Sequence, residues 1–323
     1  RSRSTGGKRL KQHVVRIALG LLIVLAFVGQ AARFYQIVFI SQLDNILYDY
    51  RLRFTMPGTV DDRIVILDID ENSLAVPELG RWPWGRDKIS ALIEKLFDKY
   101  GVALIGFDVV WAERDESSGL KVLDQLLKKD LRDVPQLSAA VNKLRPQLDH
   151  DGMFTKAIGG RPVVLGYYFN SDEDARESGA LPEPVLPAGI FAGRNIGFGL
   201  WRGYGGNLPE LQTAAAAGGH FNPLIDFDGA ARRVPMLIEY KGKYYESLSL
   251  AIVRLLMGID EANRTNSGTV TLPKVEPVLT DDPTKGYGGL ERIDVGPLRI
   301  PVDENVSALI PFRGKRNSFN YIS

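Results

Sequence analysis

Cysteine is absent from this chain, and histidine occurs only three times. Without cysteine there is no disulfide, no thiolate metal ligand and no thiol nucleophile. His13 sits in a basic N-terminal segment, which leaves His150 and His220. Two isolated histidines without a patterned third ligand do not make a zinc motif. No GxSxG and no HExxH occurs, so a hydrolase reading has no motif behind it. The glycine-rich stretch 193–206 lacks both a spaced GxGxxG and a Walker lysine, and it reads as a flexible aromatic loop. Strong net charge is also missing: the sum is +1, with basic residues clustered only at the N-terminal tip, which argues against nucleic acid as a partner. The RGYGG at 202–206 and the KGYGG at 285–289 are too short to count as a repeat.

What is present begins with an apolar segment. Residues 17–32 carry no charge, and the low-charge region runs past a single Arg33 to Leu43. A spanning helix needs roughly 20 apolar residues, which predicts a membrane helix over 17–40 with Arg33 snorkelling at the outer interface. Arg1, Arg3, Lys8, Arg9, Lys11 and Arg16 precede it with no acid among them. The positive-inside rule then keeps residues 1–16 cytoplasmic and exports the chain beyond the helix. A cleavable signal peptide shares the basic start and the small residues Gly29, Ala31 and Ala32. The anchor is favoured because Leu43, Ile46, Leu47, Tyr50 and Phe54 continue at helical spacing. As one rod, 17–53 would measure about 55 Å at ~1.5 Å per residue, with a juxtamembrane helix and linker over 41–62.

The exported part, 63–323, reads as α/β. The run 63–70 (RIVILDID) predicts a strand buried on both faces. Ile89, Leu92, Ile93, Leu96, Phe97 and Tyr100 follow amphipathic helical spacing, with Asp87 as cap and Gly101 as stop. The run 102–110 predicts a second strand, parallel to the first in a right-handed βαβ unit. Helices are expected over 120–131, 135–144 and 153–158, then a strand over 162–169 and a loop over 171–194. A hairpin turning at Lys241–Gly242 should lead into a helix from Ser247 that Gly258 closes. The sheet is thus parallel at first, with antiparallel additions later. The start without methionine and the abrupt end at Ser323 suggest a piece of a larger protein.

Ligands settle at the carboxyl ends of parallel strands, which places Asp70, Glu113, Arg114 and Asn170 as ligand-binding candidates on one polar crevice. Exposed loops are polar in any case. Asp68-x-Asp70-x-Asn72 starts like a calcium loop, but Ser73 stands where glycine is required and Leu79 where a bidentate glutamate is required. Capping is the simpler role for Asp70. In Gly80–Arg86 (GRWPWGR), Trp82 and Trp84 have the chemistry to stack on a planar or cationic ligand. The plainer reading has them closing one end of the core while the arginines find carboxylates. Asp226–Gly229 followed by two arginines reads as a turn feeding a strand. No catalytic residue and no metal ligand is singled out.

Taken in order, DNILYDYRLRF, RIVILDIDENSL, GRWPWGRDKISALIEKL and GVALIGFDVVWAERD resemble the type-two CHASE domain, an extracytoplasmic sensory domain of bacterial receptors. PVVLGYYF (162–169), the stretch 222–256 and IPVDENVSALIPFRG (300–314) continue the resemblance. It implies a sensor without chemistry of its own, a homodimer set in the membrane and answering an unknown external stimulus. The lineage with GRWPWGR looks most like sensors of class III adenylate cyclases. Mg and ATP would then belong only to an output domain absent here, which makes cyclic AMP. Histidine kinases and diguanylate cyclases carry the domain too. The rival classes are a stand-alone periplasmic binding protein and, last, an extracytoplasmic enzyme using the strand-end carboxylates.

Overall fold

The apolar N-terminal stretch forms one α-helix, Ser4–Ala31, in a computed structural model that describes residues 4–31, 34–35, 37–129, 131–194, 196–280, 289–315 and 317–323. Within it, Gln12–Gln30 has a mean hydropathy of 2.0 and is the one helix among the described residues long and apolar enough to cross a membrane. Its 19 residues give about 28 Å, matching a hydrocarbon core. The helix expected over 17–40 thus ends at Ala31, and the continuous rod over 17–53 is not formed. The helix stops, and a second helix, Val38–Thr55, starts after a bend. Local bonds explain the break. The Phe34 N–H donates to the Gly29 carbonyl at 3.0 Å, the Tyr35 hydroxyl donates to the Ala26 carbonyl at 2.5 Å, and Gln30 Oε1 takes the Ile37 N–H. The Gly29 carbonyl and the Ile37 N–H, which a continuing helix would have used, are thereby satisfied. Arg33 lies outside the described residues. In the second helix Leu43, Ile46, Leu47, Tyr50 and Phe54 all remain exposed, Phe54 by 86 %.

The chain divides into two compact units, the first from 4–66 and 311–321, the second from 67–280, 289–310 and 322–323. In the first, the strand Asp61–Leu67 does not pair with the strand near 105. It pairs with Phe319–Ile322 at the far end of the sequence. Nor is it buried on both faces: Ile64 and Val65 are each about half exposed. An apolar run specifies a strand but not its neighbour, and here the neighbour lies 258 positions away, where Asn320 Nδ2 donates to Asp62 Oδ1 at 3.1 Å. Arg313 secures the same unit, its Nε donating to the Thr59 carbonyl at 3.0 Å and its guanidinium lying 3.3 Å from Asp61.

The second unit holds the α/β core. Ile105–Phe107 runs parallel to Val163–Asn170, which runs parallel to Ala217–His220. The other end of Val163–Asn170 takes Gly203–Gly205 antiparallel, and Glu177–Ser178 adds to that. The expected sheet, parallel with antiparallel additions, is thus present. The parallel crossover runs instead from the second strand to the third, through the helices Leu120–Lys128, Pro135–Leu148 and His150–Ile158. Pro146 is carried inside the second of these helices rather than ending it. The stretch 193–206 is not simply a loop, since Gly203–Gly205 is a strand. The ring of Tyr168 lies where a Cβ at Gly205 would sit, 2.5 Å away, so glycine there serves close strand approach.

Further along, Leu237–Tyr240 and Lys243–Glu246 form the expected hairpin, with Lys241 and Gly242 both at positive φ as a tight turn requires. Ala231–Pro235 leaves it to pair with Leu224–Ile225 and Ser307–Leu309. The helix Leu248–Thr265 starts on Ser247, whose hydroxyl accepts the Leu250 N–H, and ends on Asn266 in the left-handed region. Gly258 does not close it. A Cβ at Gly258 would lie 2.7 Å from the Thr271 carbonyl, so the glycine lets a following segment pack against the helix. Gly258→Ala is expected to destabilise, although alanine favours a free helix by about 1 kcal/mol. Urea unfolding followed by tryptophan fluorescence checks this, and a stabilised variant would refute the packing role.

Candidate functional site

The helix Arg86–Glu94 begins on Gly85, not on an Asp87 cap. Its first N–H is capped from a distant segment: Asp115 Oδ2 accepts the Arg86 N–H at 2.5 Å. The Arg86 side chain is buried and forms an ion pair with buried Asp151, in the first turn of the helix His150–Ile158. Arg86 also donates to the Glu113 carbonyl. The Asp115 N–H completes the ring, 3.2 Å from each Asp151 oxygen. Three segments far apart in sequence are thus tied by charge-assisted hydrogen bonds, the stronger class.

Around this ring lie groups with titratable and aromatic character. His150 Nδ1 is 3.0 Å from the Ser117 hydroxyl, 3.4 Å from Asp115 Oδ2 and 3.5 Å from Asp87 Oδ1. Burial alone would raise the Asp115 carboxyl. The N–H groups of Arg86 and Ser117, the Ser117 hydroxyl and the His150 ring outweigh it and hold Asp115 below its ordinary range. Arg114 is mostly exposed, 3.0 Å from Glu210 and 3.7 Å from Asp151. Trp82 meets Trp84 edge-on with ring centres 5.8 Å apart and meets Trp111 at 6.2 Å. Trp111 packs on Phe154 at 5.1 Å, and the Arg86 guanidinium lies 5.5 Å from the Trp111 ring centre.

Four of the six sequence candidates, Trp82, Trp84, Glu113 and Arg114, therefore flank one buried ion pair. Trp84 closes the core as the plainer reading expected, packing on the cluster of Ile89, Phe154 and Ile158 and donating its indole N–H to the Gly80 carbonyl at 3.0 Å. Trp82 is 38 % exposed and leaves a face open to solvent. The other two candidates stand apart by their partners. Asp70 caps the short helix Glu71–Leu74 by accepting the Ser73 N–H, and its carboxyl is lowered to about 2, first by the Ser323 hydroxyl and then by that N–H. Asn170 ends its strand, with its side chain 3.4 Å from the Arg176 carbonyl and its own carbonyl accepting the Arg202 N–H. The strand before Asp70 belongs to another sheet, so the expected common strand edge does not include Asp70.

Reading the sequence missed Asp151, whose only signal was its place in a helix start, HDG after Asp149. It also missed a second buried polar nest. Glu246 is paired with Arg254, yet Glu246 Oε2, the Tyr167 hydroxyl and both His220 ring nitrogens are buried with no hydrogen-bond partner among the described residues. Asp226–Gly229 is the turn expected, with Gly229 at positive φ and Arg232 paired to both aspartates.

The family model of the CHASE2 domain matches residues 18–323. No curated protein and no solved structure matches the chain. With its α/β core, its apolar N-terminal helix and a family match over nearly its whole length, the chain belongs to the CHASE2 domain family, the extracytoplasmic sensory domains of signalling receptors.

Proposed function

We propose that this chain is the sensor of an inner-membrane receptor that controls a cytoplasmic class III adenylate cyclase. The observation that carries the receptor reading is the pairing of Asp61–Leu67 with Phe319–Ile322. The first of these strands follows the Val38–Thr55 helix by five residues. A change in the domain that slides the late strand therefore acts directly on the segment leading back to the apolar helix. The cyclase assignment rests on the GRWPWGR lineage resemblance, and Mg and ATP act only in that output domain. Active sites of such cyclases form between two subunits, so homodimer geometry is the coupling coordinate. The exposed apolar face of Val38–Thr55, with Leu43, Ile46, Leu47 and Tyr50, suits that pairing.

The stimulus-facing surface in this reading is the open face of Trp82 beside Trp84, Glu113 and Arg114. An aromatic face next to cations and carboxylates suits a small polar ligand with a planar or cationic part. Trp82→Ala is expected to leave the fold intact and to reduce stimulated cyclic AMP synthesis severalfold in the natively encoded protein. Loss of the fold in that variant would remove the ligand role. The parent reading is tested by purifying the native protein from membranes. A species heavier than this chain, keeping the basic N-terminus and converting ATP with Mg, is expected. Kinase activity, or a species no heavier than this chain, would overturn the cyclase assignment.

A further inference from the structure

Deep in the second unit, four polar side chains share an interior with almost no solvent. Tyr167 and His220 are paired residues of neighbouring parallel strands, and both are fully buried. His220 is bridged in turn to Ser247, the residue after Glu246. Glu246 and Arg254 are buried and ion-paired, and Arg254 Nε donates to the Pro273 carbonyl at 2.8 Å. The pair thus fastens the end of the hairpin to the Leu248–Thr265 helix and to the 273 segment. Phe169, Tyr240 and Tyr245 pack in one cluster with Tyr167, and Phe169 also meets His220 edge-on with ring centres 6.2 Å apart.

This interior is polar but under-satisfied. Buried polar groups are nearly always hydrogen-bonded, and each exception needs a cause. Four of the seven such atoms among the described residues belong to these side chains: one oxygen of Glu246, the Tyr167 hydroxyl and both nitrogens of His220. We infer that Glu246 is a proton-binding site, where external acidity reaches this domain and tightens the clamp between hairpin and helix. The proton adds to the unpartnered oxygen and turns an acceptor into a donor. The ion pair with Arg254 becomes a neutral-acid contact in the same step, the cost of the buried carboxylate charge is removed, and the clamp tightens.

The buried groups of this interior differ in their titration. Burial drives His220 down to about 3, so it stays neutral across the physiological range. Burial, and then the nearness of Glu246, drives Tyr167 well above the ordinary tyrosine range, and it too stays neutral. Tyr244 and Tyr245 on the same hairpin are raised by burial. Burial raises Glu246 to about 7 against the opposing pull of Arg254, so in this nest it alone changes charge near neutrality.

This proposal deepens the sensor reading and rests on it only for its consequence, because its test is made on the chain itself, without any output domain. The probe is the proton. Hydrogen exchange of the 323-residue chain in detergent is followed from pH 5 to pH 8, corrected for intrinsic exchange. The amides to watch are Ser247, bonded to the Met236 carbonyl, and Leu250, bonded to the Ser247 hydroxyl. Protection of both is expected to change at least tenfold in a single transition near pH 7 and to be flat in Glu246→Gln. Arg254→Gln, which keeps the carboxyl, is expected to move the transition to higher pH. Flat protection in the unsubstituted chain, or a transition that survives Glu246→Gln, would overturn the proposal. A cyclase that fails to respond while the transition persists would overturn the coupling and leave the proton site standing.

Discussion

Asp151→Ala is expected to cost about 3–5 kcal/mol of stability, the amount lost when one partner of a buried ion pair is removed. The size follows from what Asp151 satisfies. Its carboxylate neutralises the Arg86 guanidinium and accepts the Asp115 N–H. Without it the guanidinium keeps its Glu113 carbonyl bond and its place beside the Trp111 ring but has no countercharge. Asp151→Asn is the informative companion. It keeps the shape and one acceptor, so a smaller loss of about 2–3 kcal/mol is expected. Both are read by urea unfolding with tryptophan fluorescence, since all four tryptophans lie in the second unit. An Asp151→Ala loss below about 1 kcal/mol would match an exposed pair, and the ring of bonds would then have no structural weight.

The second large effect depends on pH. Glu246 has an ordinary value of 4.5 and is raised in the folded chain to about 7. Between those values the native state binds more protons than the unfolded state. Stability is therefore highest at the acid end of that window and falls as pH rises from about 4.5 to 7, by about 3 kcal/mol from this group. Arg254→Ala sharpens the fall. At pH 5 the carboxyl is already neutral, and the loss is chiefly the guanidinium packing and its bond to the Pro273 carbonyl, about 1–2 kcal/mol. At pH 8 the carboxylate is buried without its cation, and the loss rises to about 3–5 kcal/mol. Glu246→Gln should flatten the slope. Equal losses for Arg254→Ala at both pH values would show that Glu246 does not hold a proton in the folded state.

Local signals in the sequence carried over well, and long-range ones did not. The helical spacing from Ile89 onward, the stop at Gly101, the hairpin turn at Lys241–Gly242 and the helix start near Ser247 are each written within a few residues. They appear where expected, except that the α-helix ends at Glu94 and passes into a π-helix over Lys95–Lys99, which leaves Tyr100 exposed. The partner of Asp61–Leu67 is not written locally, and a parallel neighbour chosen by sequence adjacency was wrong for that reason. Gly258 shows the same limit: glycine is a helix stop when it faces solvent and a packing notch when a second segment crosses it. At the candidate site the tryptophans and arginines drew attention by composition. Asp151 and Glu246 did not, because an isolated acid in a helix turn or at a strand end looks the same whether it meets water or a buried arginine.

The pairing of the early strand with the late one also sets an order of folding. During synthesis Asp61–Leu67 emerges more than 250 residues before the strand that completes its sheet. Until then its backbone donors and acceptors face solvent beside the half-exposed Ile64 and Val65. Such an edge is a template for the wrong neighbour. Closing so long a loop is slow as well, since its entropy must be overcome before the contact rewards it. Asp61, Asp62 and Arg63 at the head of the strand place charges where a stray strand would dock, and they guard the edge until its last residues arrive.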